Sequence, residues 1–163
     1  MRGTFLVGLT LLAASAAPAA EEPLRLVRAV APGSSTQVVV AEGQFEPQSV
    51  GSYSVRIYGG ANPRFPYDDF IAGTVRPRDG AVEQVRFADV DGDRAAEIVV
   101  VMRSAGTGNY RSADAFHLQG ATLSLVGSVA GLAKDADPIR ALAARLAKHG
   151  VPDAGTSTGE RGP

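Results

Sequence analysis

Short apolar or alternating segments, separated by turns that contain glycine and proline, constrain the fold of this chain more than any other feature. Tyr53, Val55 and Ile57 occupy alternate positions in one such segment, which is the period of a half-buried strand. Another segment, 98–101, is an unbroken apolar run, typical of a strand that is covered on both faces. The 19 glycines and 10 prolines suffice for many turns between short strands.

Eight segments fit this description. They are 24–30, 37–41, 52–58, 70–76, 82–88, 97–102, 113–118 and 122–126. The residues Pro77 to Gly80 are expected to form the turn that ends the fourth strand. The close spacing of the segments predicts an all-β fold, an antiparallel β-sandwich or flattened barrel of about eight strands. One C-terminal helix is predicted over 138–149, because Asp137 is a suitable N-cap and an apolar stripe with helical spacing follows it.

The two ends of the chain differ in composition from its middle. Arg2, an apolar stretch and small residues up to Ala19 are typical of a secretory signal peptide over 1–19, cleaved near Ala19. The apolar stretch is shorter than the ~20 residues of a membrane helix, so we predict export without a membrane anchor. Residues 20–150 are predicted to form a single domain, and 151–163, which lack any periodicity, a disordered tail.

The composition excludes several classes of function. The chain has no cysteine, which excludes thiol catalysis, cysteine-zinc sites and iron–sulfur clusters. A formal charge of −1 with scattered arginines argues against nonspecific binding of nucleic acid. The common catalytic and nucleotide-binding motifs are missing from the sequence. The two histidines are interpreted as an exposed strand residue (His117) and a helix-end residue (His149). The sequence therefore offers no strong candidate for a catalytic residue.

A cluster of alternating carboxylates is the sharpest local motif. Asp89, Asp91, Asp93 and then Glu97 supply the hard oxygen ligands that could surround calcium. The motif resembles the loops of integrin-type and FG-GAP propeller blades, although Arg94 replaces their usual glycine and the motif occurs once rather than as a repeat. A tight aspartate-rich turn between two strands explains the same residues. No metal and no other cofactor is favoured.

The connection between the predicted strands 97–102 and 113–118 has the composition of a recognition loop. It is longer than a tight hairpin needs. Its glycines permit unusual backbone angles, its small polar residues supply hydrogen-bonding groups, and its tyrosine is of the type enriched in binding hot spots. These residues are Ser104, Gly106, Thr107, Gly108, Asn109, Tyr110 and Ser112. An ordinary hairpin loop, with Tyr110 folded back on the sheet, fits them equally well.

Several segments, in family order, resemble the periplasmic inhibitors of invertebrate-type (i-type) lysozyme. They are SYSVRIY at 52–58, PYDDFIAG at 66–73, VRPRDG at 75–80, FADVDGD at 87–93 and the stretch 97–116. The likeness covers roughly residues 36–126. Residues 107–110 also fit a Ser/Thr-Gly-x-Tyr pattern shared with inhibitors of c-type lysozyme, with Thr107 where serine is usual.

This resemblance implies an antiparallel β-structure of about eight strands, a periplasmic location and a noncatalytic inhibitor whose partner is i-type lysozyme. Members of this family often form homodimers. The loop from Ser104 to Ser112 would block the catalytic cleft, with the hydroxyls of Thr107 and Tyr110 bonded to the lysozyme carboxylates. Asp114 would brace this loop from its strand. The expected partner-binding residues are Ser104, Gly106, Thr107, Gly108, Asn109, Tyr110 and Arg111.

Two other functions fit parts of the sequence. One is a calcium-dependent exported binding module built on the carboxylates from Asp89 to Glu97. The other is an envelope enzyme that acts on glycans, with Asp68 or Asp69 as its catalytic acid.

Overall fold

The computed structural model describes residues 25–149, which form two four-stranded antiparallel sheets and a helix. The first sheet has the order β1 (Leu26–Val30), β2 (Gln37–Glu42), β3 (Val50–Tyr58) and β4 (Phe70–Asp79). The second has the order β5 (Ala81–Ala88), β6 (Glu97–Arg103), β7 (Arg111–Gln119) and β8 (Thr122–Leu132), and α1 (Pro138–His149) follows. The predicted number and order of strands and the helix are confirmed, and the sheets form an open sandwich rather than a closed barrel. Strand β8 continues to Leu132, beyond its predicted end at 126. The predicted signal peptide and tail lie outside the described residues.

Strand β4 is longer than the sequence predicts. The expected turn from Pro77 to Gly80 is wrong, because β4 continues through Asp79 and Gly80 alone connects the two sheets. Pro77 is tolerated in the strand because β4 is an edge strand of the first sheet, where a missing N–H breaks no ladder on the open side. Arg78, expected in that turn, lies within the strand and is buried.

The core lies between the inner faces of the two sheets. Tyr53, Val55 and Ile57 are buried there, as their alternation predicts, and they pack with residues of β6 such as Val100. The opposite face of β6 is covered by α1, whose Leu142 is fully buried. Burial of a leucine side chain of this kind stabilises the fold by about 2–3 kcal/mol. Strand β6 is therefore covered on both faces, as its unbroken apolar run indicates.

The helix begins as the sequence predicts. The carboxylate of Asp137 accepts a hydrogen bond from the backbone N–H of Ile139 at 3.1 Å, which satisfies one of the free donors of the first turn. Within residues 25–149, no helix combines the length and the apolar character that crossing a membrane would require.

Candidate functional site

The loop between β6 and β7, residues 104–110, extends from one end of the second sheet. At its base, the N–H of Ser104 donates to the carbonyl of Tyr110 at 2.8 Å. At its tip, the N–H of Asn109 donates to the carbonyl of Gly106 at 3.1 Å, and Asn109 has a left-handed φ of 45°, which asparagine tolerates. Residues 105–110 are exposed. The loop is thus a closed, preformed projection with its polar groups available to a partner.

Tyr110 lies across the backbone of Gly108. A Cβ atom at position 108 would be 2.3 Å from Cε2 of the Tyr110 ring, so the ring occupies the space that any side chain would take. The ring remains 55% exposed. Tyr110 therefore folds back on its own loop rather than on the sheet, and it presents more than half of its surface to solvent.

An ion-pair cluster supports the base of the loop. Arg103 and Arg111, which flank the loop, both pair with Glu83 on β5, at 2.5 Å and 3.4 Å between Nη2 and Oε1. Arg111 also donates to the carbonyl of Ala136 at 3.4 Å. Arg111, expected to be a flanking contact, thus begins β7 and ties the loop to two other elements. The role of Glu83 has no local sequence signal, because Glu83 meets these arginines only through strand pairing.

Two of the predicted contact residues, Ser104 and Arg111, are half-buried, whereas the others are exposed. The hydroxyl oxygen of Ser104 has no hydrogen-bond partner among the described residues. Thr107 and Tyr110 are exposed. The side chains of Thr107 and Tyr110 are therefore accessible to a partner, whereas the Ser104 hydroxyl oxygen is buried at the base of the loop.

Asp114 links the two sheets. Its carboxylate accepts hydrogen bonds from the hydroxyls of Tyr53 and Ser128, both at 2.6 Å, and from Nε of Arg76 at 3.5 Å. Burial, reinforced by the bond to Asp114, raises the pKa of the Tyr53 phenol well above its ordinary value. These partners lie on β3, β8 and β4, so the carboxylate joins strands of both sheets. The bracing of the 104–110 loop by Asp114 stays a prediction.

The carboxylates between β5 and β6 organise a tight turn. Asp89 accepts hydrogen bonds from the backbone N–H groups of Gly92 at 2.7 Å and Arg94 at 3.0 Å. Asp91 and Asp93 each accept one from the residue two positions later. These bonds are those of a tight aspartate-rich turn, which accounts for the same residues as a calcium loop would.

Glu97 lies beneath this turn and is fully buried. Its carboxylate accepts the N–H of Val90 at 2.9 Å and lies 3.1 Å from Nδ1 of His117. The interpretation of His117 as an exposed strand residue is therefore wrong, because pairing of β6 with β7 brings its ring to a buried carboxylate. Two groups bring three ligand atoms within 4.8 Å of one another: Asp89, Asp91 and Glu97, and Asp93, Glu97 and His117. The side chain of His149 lies outside the described part.

The sandwich presents an exposed loop with a closed base, an arrangement typical of proteins that recognise a partner. Asp68 and Asp69, the alternative catalytic acids, are exposed in the connection between β3 and β4. That connection leaves the opposite end of the fold from the 104–110 loop.

Comparison with known proteins identifies the family. The model of the family "periplasmic lysozyme inhibitor of I-type lysozyme" matches residues 25–146, and the chain belongs to this family. It is therefore a periplasmic lysozyme inhibitor and not an enzyme, as the sequence predicts.

Two solved structures are similar to this chain. The crystal structure of the periplasmic inhibitor of I-type lysozyme from Aeromonas hydrophila has 47% identity and a TM-score of 0.66, over 72% of this chain and 98% of that one. The Aeromonas hydrophila inhibitor in complex with Meretrix lusoria lysozyme has the same identity and TM-score, over 72% of this chain and 94% of that one. No match is found among curated proteins.

Proposed function

We propose that this protein inhibits i-type lysozyme by placing the loop from Ser104 to Ser112 in the catalytic cleft. The observation that carries the proposal is the position of the Tyr110 ring, which lies on Gly108 and stays more than half exposed, on a loop whose base the Tyr110 backbone closes. A solved complex of a 47% identical relative with a lysozyme supports the choice of partner.

The chemistry of the loop suits the chemistry of the target. Lysozymes hydrolyse glycans between two carboxylates in a cleft. The hydroxyls of Thr107 and Tyr110 are hydrogen-bond donors, and a donor bonded to a carboxylate forms a stronger bond than it does with a neutral acceptor. The loop carries no glycosidic bond, so the enzyme has nothing to cleave once its carboxylates are occupied. The result is a stoichiometric block rather than a reaction.

The preformed geometry of the loop favours tight binding. Association costs about 0.5–1.5 kcal/mol for each flexible side chain that becomes ordered. Here the hydrogen bond from Ser104 to Tyr110 and the ion pairs with Glu83 already order the loop in the free protein. More of the contact energy therefore remains available as affinity.

The test is a cell-wall lysis assay with i-, c- and g-type lysozymes, with and without the purified mature protein. The wild type should inhibit the i-type enzyme and saturate near one inhibitor per enzyme. A double variant, Thr107→Ala with Tyr110→Ala, should lose inhibition by about 100-fold, because each residue is a candidate hot spot.

The matched control removes the same two types of side chain from a different part of the surface. Thr122 and Tyr67 are an exposed threonine and tyrosine outside the loop, and alanine at both should leave inhibition within about twofold. If the Thr107 and Tyr110 double variant still inhibits like the wild type, the loop assignment is wrong. Inhibition of the c-type enzyme alone would retain the loop and change the target.

A further inference from the structure

A second loop leaves the sandwich at the same end as the proposed inhibitory loop. This loop, residues 43–49, connects β2 to β3. The first residue of β3, Val50, pairs with Asp79 at the end of β4, and the first residue of β5, Ala81, pairs with Arg103 at the end of β6. Because Gly80 alone separates β4 from β5, these two sheet ends adjoin, and the 43–49 and 104–110 loops project from adjoining strand ends.

Gly80 contacts the bases of both loops. Its N–H donates to the carbonyl of Ser49 at 2.8 Å. On its other side, a Cβ atom at position 80 would overlap the backbone of Arg103 and Ser104. Gly80 therefore lies between the bases of the two loops and contacts both of them.

Phe45, in the 43–49 loop, has two features that the fold does not explain. Its side chain is 100% exposed, more than any other large hydrophobic side chain of the described residues. Its φ is 64°, in the left-handed region that bulky residues rarely adopt. Strained backbone of this kind persists where the surroundings enforce it, and it clusters at binding sites.

Buried charge holds the 43–49 loop in this conformation. The guanidinium of Arg78 donates to the carbonyls of Pro47 at 2.9 Å and Gln48 at 3.0 Å, and it lies 3.7 Å from the carboxylate of Glu46. That carboxylate also accepts hydrogen bonds from the N–H and the hydroxyl of Ser52. Phe45 is thus an exposed aromatic side chain on a loop whose backbone Arg78 and Glu46 hold in place.

The size of a stable interface requires surface beyond the 104–110 loop. A standard protein–protein interface buries about 800 Å² on each partner and uses roughly 20–30 residues a side. Residues 104–110 supply about a third of that number at most. The remainder must come from surface that is continuous with the loop, and the 43–49 loop with Phe45 is such a surface.

We propose that Phe45 is a second anchor for the lysozyme, packing on an apolar surface at the rim of the cleft while the 104–110 loop fills the cleft. This proposal rests on the function proposed above. It assigns to the 43–49 loop a share of the affinity for the lysozyme.

The experiment measures inhibition constants of Phe45→Ala and Phe45→Asn against the i-type lysozyme. Both should weaken inhibition about tenfold. Asparagine tolerates a left-handed φ, so Phe45→Asn keeps the loop and removes only the ring. Phe65→Ala is the matched control, an exposed phenylalanine in the connection at the opposite end of the fold, and it should change inhibition less than twofold. Thermal melting should be unchanged or higher for Phe45→Asn, because the ring buries nothing.

Each outcome separates this inference from the proposed function. If both Phe45 variants inhibit like the wild type while the Thr107 and Tyr110 double variant does not, Phe45 is not an anchor and the loop proposal stands. If the Phe45 variants lose inhibition and the double variant keeps it, Phe45 is the anchor and the loop assignment fails. If the Phe45 variants turn a dimer into a monomer in sedimentation but inhibit normally, Phe45 contacts a second copy and this inference is overturned.

Discussion

Replacing Gly108 with alanine should weaken lysozyme inhibition while leaving the fold intact. The new methyl group would lie 2.3 Å from Cε2 of Tyr110 and 2.8 Å from Cδ2, whereas ordinary contacts begin near 3.4 Å. The ring therefore has to move by about 1 Å or more, and rotation about χ1 carries it away from the loop. The backbone of Gly108 is not in the left-handed region, so alanine itself fits there without strain.

The expected size follows from what the ring does in each state. Because Tyr110 is more than half exposed, its displacement costs the free protein little, and the melting temperature should stay within about 2 °C of the wild type. In the complex of the Gly108→Ala variant, the Tyr110 ring no longer occupies the position from which it would contact the lysozyme. Loss of an aromatic anchor costs at least about 1.4 kcal/mol, which is a tenfold weaker inhibition constant.

The inhibition constant of Gly108→Ala, measured in the same lysis assay, should be about tenfold weaker than that of the wild type. The control is the variant that already carries Tyr110→Ala. In that chain Gly108→Ala should have no further effect, since the ring that it displaces is gone. The reasoning is refuted if Gly108→Ala inhibits as well as the wild type does, or if it weakens inhibition equally with and without Tyr110→Ala.

Two predictions concern the supports of the fold. Tyr53→Phe removes a buried hydrogen bond of 2.6 Å to the Asp114 carboxylate, and urea unfolding should show a loss of about 2 kcal/mol; a loss below about 0.5 kcal/mol would contradict the role given to this bond. The hydrogen bonds from Ser52, aided by Arg78, lower the pKa of Glu46 below its ordinary value of 4.5. A lowered pKa stabilises the fold above the unfolded value and ceases to do so as the pH falls through the folded one. The wild type should thus melt above Glu46→Gln at pH 7 and lose this advantage progressively below pH 4.5, whereas a constant difference would show that the charge of Glu46 is irrelevant.

The sequence by itself predicts the strands, the helix and the loop, because the signals for them are local. Alternation at Tyr53, Val55 and Ile57 reports which face of β3 is buried, whatever packs against it. The N-cap at Asp137 acts within one helical turn. The composition of the 104–110 loop is also local, and so is the pattern around Thr107 that points to lysozyme inhibitors.

What only the tertiary structure decides is where the polar groups go. Arg78 is buried rather than in a turn because the carbonyls of the 43–49 loop, about 30 residues earlier in the chain, surround its guanidinium. Asp114 bonds across the two sheets, and His117 meets buried Glu97, because strand pairing and sheet packing bring them there. The left-handed backbone of Phe45 depends on the same long-range contacts. Apolar burial is set by the pattern along the chain, whereas a buried charge must find specific partners, and their positions exist only once the two sheets have packed together.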